Sequence, residues 1–186
     1  MDVLEALRTR RSIGRLGGEV TDEELRTLVE AGLWAPNHKL TDPFRFVALR
    51  GAARERLGRA WAEVAATFEP PPGVTREAFV EKEARKPLRA PLLLAVGVRT
   101  DERPVVAEED FATAAAAIQN VLLAAHALGL GAIWRTGGMV LAPAIREHLG
   151  FGPTDRIVGI VYLGRPAMEP PIARPRDVEG HLTVLD

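Results

Sequence analysis

A chain of 186 residues, 47% hydrophobic and 26% charged, has the composition of one globular domain with a sizeable core, not of a disordered segment. Its formal net charge of −1 offers no general basic field for nucleic acid, so clustered arginines point to a small anion. Cysteine is absent, which excludes disulfides, thiolate catalysis and cysteine-based metal sites and leaves any redox chemistry to a bound cofactor.

The start, Met1-Asp2-Val3-Leu4-Glu5, lacks the basic region and long apolar core of a signal peptide, and the sequence reads as cytoplasmic. A short amphipathic helical turn carrying Val3, Leu4 and Leu7 runs into Arg8-Thr9-Arg10-Arg11-Ser12. Planar guanidinium forks, a hydroxyl and free N–H donors are what a phosphate requires. The alternative reading is a solvated cationic helix end, which the helix dipole favours in any case. Thr21-Asp22-Glu23-Glu24 is a capping box. It predicts a helix with an apolar stripe at Leu25, Leu28, Val29, Gly32 and Leu33, ended near Ala35 because Pro36 disfavours helix before it.

Residues 37–43 are polar and turn-forming, and 44–49 read as a strand. Residues 51–68 predict a helix with Leu57, Trp61, Val64 and Phe68 on one side, closed by the stiff Pro70-Pro71-Pro72-Gly73. Residues 75–86 predict a highly charged helix, either a flap or dimer-flanking element or a plain solvated helix. The apolar run 92–98 predicts a strand buried on both faces. Residues 107–128 predict a long helix that is apolar nearly all round after Asp110, broken by Thr113, Gln119, Asn120 and His126. Its alanines and polar groups argue for a core helix that also packs on a second subunit, not a membrane span.

Gly129-Leu130-Gly131 ends that helix. The short strand Ala132-Ile133-Trp134 leads to Arg135-Thr136-Gly137-Gly138, and Pro143 and Gly150 bracket one more helix. Residues 156–163 form the last strand, and from Arg165 onward the chain is a proline-rich arm. No repeat or boundary divides residues 1–186, which read as one domain. Helices separate the strands, yet the glycine fingerprint of a dinucleotide-binding βαβ unit is missing: Gly129 and Gly131 follow a helix.

No Gly-x-Ser-x-Gly elbow is present, and His38, His126, His148 and His181 are not at metal-ligand spacing. His126 reads as a satisfied core histidine, His148 as surface helix and His181 as tail. His38 differs, because its loop lies between a helix stop and a strand, with Trp34 just upstream as a flat apolar face. Arg135 ends a buried strand, where it serves an anion together with the Gly137 and Gly138 backbone or forms a structural ion pair.

In order along the chain stand Arg10-Arg11-Ser12, then Trp34-Ala35-Pro36-Asn37-His38-Lys39 leading into Asp42-Pro43-Phe44-Arg45-Phe46. Ile133-Trp134-Arg135-Thr136-Gly137 follows a core helix, and the last strand ends Val158-Gly159-Ile160-Val161-Tyr162-Leu163-Gly164-Arg165-Pro166. This succession resembles the nitroreductase family, above all its small, compact bacterial members. The resemblance implies an α+β fold with a central, mostly antiparallel sheet flanked by helices, and an obligate homodimer with two FMN sites at the subunit interface. It implies that Arg10, Arg11 and Ser12 hold the FMN phosphate and ribityl, that Trp34 and His38 come from the partner subunit, and that Trp134, Arg135 and Thr136 complete the pocket. The C-terminal arm then wraps the partner.

Two positions depart from the family pattern. Asp42-Pro43-Phe44 replaces the Gln-Pro-Trp of many members, and an ionised acid cannot donate to a flavin carbonyl. Gly14 stands where larger members carry a lysine, leaving Arg11 or Arg15 to steady negative charge on the reduced flavin. The implied activity is FMN-dependent oxidation of NAD(P)H with reduction of a nitroaromatic, quinone or similar acceptor by a ping-pong scheme. Neither a catalytic side chain nor a metal is assigned. The competing readings are a non-catalytic flavin-binding sensor or carrier, a dehalogenase or flavin-cleaving enzyme on the same scaffold, and an RNA-binding module, which the near-neutral charge disfavours.

Overall fold

The apolar run of Leu92–Val98 becomes β3, every residue of it buried, and the sheet is built around it. The computed structural model describes residues 1–173 and 176–185. On one side β3 pairs with β2 (Phe44–Arg50), on the other with the long β5 (Arg156–Pro166). The free edge of β5 takes β4 (Gly131–Arg135) and the two-residue β1 (Leu16–Gly17). Every one of these pairings is antiparallel, so the fold is the expected α+β arrangement.

Because side chains alternate across a strand, β3 feeds two cores. Leu92, Leu94, Val96 and Val98 pack beneath α2 (Asp22–Leu33) and α5 (Pro104–Ala127), with Leu28, Ile118 and Val121. Leu93 and Ala95 face α3 (Ala52–Ala65) and the short α6 (Gly138–Leu141) and α7 (Pro143–His148), with Leu57, Trp61 and Ile145. Cutting a fully buried leucine such as Leu93 to alanine costs about 2–5 kcal/mol in such a core. The capping box forms as read: Glu24 N–H donates to Thr21 Oγ1 and Thr21 N–H to Glu24 Oε2.

Several boundaries differ from the sequence reading. The third helix stops at Ala65, so Phe68 lies beyond it and is 39% exposed. Pro104 starts α5, three residues before the expected 107, because proline is suited to a first helical turn. The last strand runs on to Pro166, since β1 supplies a partner for its end. The charged helix α4 (Arg76–Ala84) is docked on α3: a Cβ at Gly58 would stand 2.7 Å from the Ala84 carbonyl oxygen. A one-turn 3₁₀ segment, Lys86–Arg89, follows it. The arm beyond β5 carries no regular element among its described residues, and its positions 174, 175 and 186 lie outside them. No helix among the described residues is long and apolar enough to cross a membrane.

Candidate functional site

The first helix, α1 (Val3–Thr9), is capped by Asp2, whose carboxylate accepts from the Leu4 N–H at 2.8 Å. The helix ends as the arginines begin. Arg11 folds back, donating from Nη1 to the Arg8 and Arg10 carbonyls at 2.7 Å each. Arg10 is half-buried, and its Nη1 is buried without a hydrogen-bond partner among the described residues. Burial, and next the Arg11 guanidinium, push Arg10 below its ordinary pKa, and no ion pair of Arg10 occurs among the described residues. Ser12 forms a parallel bridge to Ala132, and the Ile13 N–H donates to the Ala132 carbonyl at 3.0 Å. The arginine segment is thus laid beside β4.

A cavity of about 560 Å³ opens there, lined by Arg8, Arg10, Arg11 and Ser12 and by Arg176 from the C-terminal arm, with no acidic side chain among the described residues of its wall. An orphaned buried guanidinium nitrogen, further guanidinium forks and a hydroxyl fit the phosphate end of FMN. Sequence reading missed Arg176. It sits in a segment with no regular pattern, and only folding brings it to residues near the other end of the chain. On the α5 side of the same arginines, His126 Nε2 lies 2.8 Å from Thr9 Oγ1, while that hydroxyl also reaches the Glu5 carbonyl. His126 is hydrogen-bonded, as the sequence suggests, but half-buried and not in the core.

Strand β4 turns successive side chains to opposite faces. Trp134 packs against the α2/α5 core cluster and lines a largely apolar cavity of about 510 Å³ with Phe111, Leu141 and Thr136. Gly159 on β5 makes room for the indole: a Cβ there would fall 2.0 Å from Trp134 Nε1. Arg135 turns the other way, into a separate cavity of about 220 Å³ that Thr136 also lines. No ion pair of Arg135 occurs among the described residues. From Ala132, where Ser12 docks, to Arg135, where β4 ends, the strand advances about 10 Å at ~3.3 Å per residue.

Trp34 and His38 stand elsewhere and line none of these cavities. Trp34 closes α2 and is 79% exposed. His38 opens a 3₁₀ turn, His38–Leu40, braced on α5: its Nδ1 lies 2.7 Å from Glu109 Oε2, Thr41 Oγ1 donates to Asp110 Oδ1, and Thr113 Oγ1 donates to the Pro36 carbonyl. The Asn37 amide accepts from the Asp42 N–H and donates to Thr41. This network holds three non-glycine residues at positive φ: Lys39 (59°), Leu40 (51°) and Asp42 (47°). The outcome is two exposed apolar groups, Trp34 and Leu40 (87% exposed), on a fixed support.

Comparison with known proteins adds the following. The family model described as "Nitroreductase family" matches residues 7–165. The protein YdjA of Escherichia coli K12, provisionally named an NAD(P)H nitroreductase, is 34% identical over 171 residues, covering 91% of each chain. A nitroreductase-like family protein from Bacillus cereus superposes with a TM-score of 0.87 at 26% identity, covering 100% of this chain and 97% of that one. A provisionally named nitroreductase from Desulfovibrio desulfuricans, solved in complex with FMN, gives a TM-score of 0.72 at 30% identity, with 100% and 98% covered.

Proposed function

The chain belongs to the nitroreductase family, and from that premise we propose that it is an FMN-dependent oxidoreductase. It takes hydride from NAD(P)H and delivers it to a nitroaromatic, quinone or similar oxidised acceptor. The observation that carries this reading is the cavity beside α1, where Arg10 keeps a buried, unpartnered guanidinium nitrogen next to Arg11, Ser12 and Arg176. FMN, when bound, supplies the hydride-accepting and hydride-donating centre.

The chain's own residues bind and orient. Arg10, Arg11 and Arg176 clamp the phosphate, and Ser12 adds a hydroxyl donor. Trp134 gives a flat apolar wall that excludes water, Thr136 edges the same region at the far end of β4, and Arg135 completes the pocket from the strand's other face. Trp34 and His38 of the partner subunit complete each site in a homodimer. The apolar groups that one copy leaves exposed on its braced loop, Trp34 and Leu40, support that assembly. No side chain is assigned as nucleophile or general acid.

Reductant and acceptor occupy one face in turn. Initial-rate plots at several acceptor concentrations are therefore expected to run parallel, and lines meeting left of the axis would overturn the shared-site scheme. Anaerobic bleaching of the yellow protein by NADH separates this enzyme from a flavin-binding sensor or carrier, which would keep its colour.

A further inference from the structure

Glu108, Glu109 and Asp110 follow one another on α5, and each meets a different partner. Successive helix positions are turned by about 100° from one another, so the three acids leave the helix in three directions. Glu108 pairs with Arg156 on β5 at 2.9 Å. Asp110, 3% exposed, accepts from Thr41 and so braces the strained turn. Glu109 reaches His38, its Oε2 lying 2.7 Å from Nδ1.

The turn does not depend on that last contact. Thr41 on Asp110, Thr113 on the Pro36 carbonyl, and the Asn37 amide on Thr41 and the Asp42 N–H already hold residues 36–42. The pair also lies open to solvent, with the His38 side chain 59% and the Glu109 side chain 36% exposed. An exposed pair of this kind adds little to stability. What it does fix is the imidazole. An ionised carboxylate only accepts, so the proton must sit on Nδ1, in the neutral ring as in the cation. Nε2 is the nitrogen left over, and no hydrogen bond of it occurs among the described residues.

In the neutral ring Nε2 is therefore an acceptor. An unrestrained histidine would divide itself between two tautomers and several rotamers, and ordering it on binding would cost affinity. We propose that Glu109 is a positioning residue for the FMN site: it holds His38 as the Nδ1–H tautomer in one orientation and so presents Nε2 as an acceptor to the cofactor of the neighbouring subunit. The ring N–H and the ribityl hydroxyls of FMN are donors of the kind Nε2 would meet. The proposal rests on the reading of His38 as a cofactor residue in the homodimer.

The test has two arms. The first needs no cofactor: long-range ¹H–¹⁵N correlation spectra of FMN-free protein with ¹⁵N-labelled histidine, recorded at alkaline pH where imidazoles are neutral. The His38 signals are identified by their loss in His38→Gln. Wild type should show His38 as the Nδ1–H form. Glu109→Ala should move it to the Nε2–H form that free imidazole prefers. Glu109→Gln should give a mixture, because an amide both accepts and donates. His126, His148 and His181 should not change, which separates loss of the contact from loss of the fold.

The second arm is FMN titration by fluorescence. Glu109→Ala should weaken FMN by roughly three- to tenfold, the scale of one hydrogen bond. Glu109→Gln should lose less. In a His38→Ala background Glu109→Ala should lose nothing further, since it acts only through the imidazole. A wild-type His38 in the Nε2–H form, a tautomer indifferent to Glu109, a His38→Ala protein that binds FMN as tightly as wild type, or an equal loss from Glu109→Ala with and without His38 would each overturn the proposal. A wild-type chain that takes up no FMN would refute the oxidoreductase reading and the cofactor half of the proposal with it, whereas the first arm decides by itself whether Glu109 sets the His38 tautomer.

Discussion

Two segments present the side chains proposed to hold the cofactor, and they are fixed by opposite means. Residues 10–12 are pinned through the backbone, by the bridge from Ser12 to Ala132 and the Ile13 N–H on the Ala132 carbonyl. The Arg10 Nη1 contributes nothing to that pinning, since it has no partner among the described residues. Residues 36–42 are pinned through side chains. Lys39, Leu40 and Asp42 each sit at positive φ, a conformation that costs an L-residue of order 1 kcal/mol or more. Bonds from Asn37, Thr41 and Thr113 to the loop and to α5 offset that cost. The Arg10 side chain of the first segment is therefore free of structural duty, whereas the polar groups of the second are structural first.

The largest effect expected from this contrast is on affinity. Arg10→Ala removes charge-assisted contacts to phosphate worth about 1.5–3 kcal/mol, roughly one to two decades in FMN dissociation constant. The unfolding midpoint of the FMN-free protein should stay put or rise, because a buried, unpaired cation has been removed. Flavin fluorescence titration and urea unfolding measure the two quantities. An Arg10→Ala protein that binds FMN as tightly as wild type would sink the assignment, and one that unfolds early would erase the distinction between the segments.

Thr41→Val probes the other segment. It deletes the hydroxyl that joins Asn37 to the buried Asp110 carboxylate and leaves that acid unsatisfied, a loss of about 1–3 kcal/mol. Urea unfolding should show the loss, and amide exchange should quicken across residues 36–42. An unchanged midpoint with unchanged exchange would mean that some other contact holds the strained turn.

The same contrast explains what sequence could and could not disclose. The capping box at Thr21 and Glu24 and the apolar run of β3 are local patterns, and each produced its element. The two residues of β1 carry no such pattern; they become a strand only because β5 is long enough to pair with them. Gly137 and Gly138 read as loop, yet α6 starts there. Lysine, leucine and aspartate do not announce positive φ, so the shape of the 39–42 turn comes from tertiary bonds to α5. Arg10, Arg11 and Ser12 were visible as a cluster. Arg176 was not, nor was the opposite facing of Trp134 and Arg135, which depends on strand register.

The smallest effect concerns how the backbone-pinned segment is closed at its far end. After Ile13 the chain enters β1, where Gly17 pairs with Arg165, and Arg165 reaches Glu24 Oε1 at 2.8 Å. Glu24 is held below its ordinary pKa, first by the Thr21 N–H and then by Arg165, with burial opposing. A carboxylate whose folded pKa lies below its unfolded value of about 4.3 contributes stability that is complete above that value. The contribution is lost as pH falls through the lower, folded value. Glu24→Gln retains an oxygen acceptor for the Thr21 N–H but not the charge. At pH 7 wild type should therefore exceed the variant by about 0.3–1 kcal/mol in urea unfolding, and the gap should close below about pH 4. A gap that persists unchanged at pH 3 would show that Glu24 acts through packing, and that the hydrogen-bond ladder alone closes the segment carrying Arg10 to Ser12.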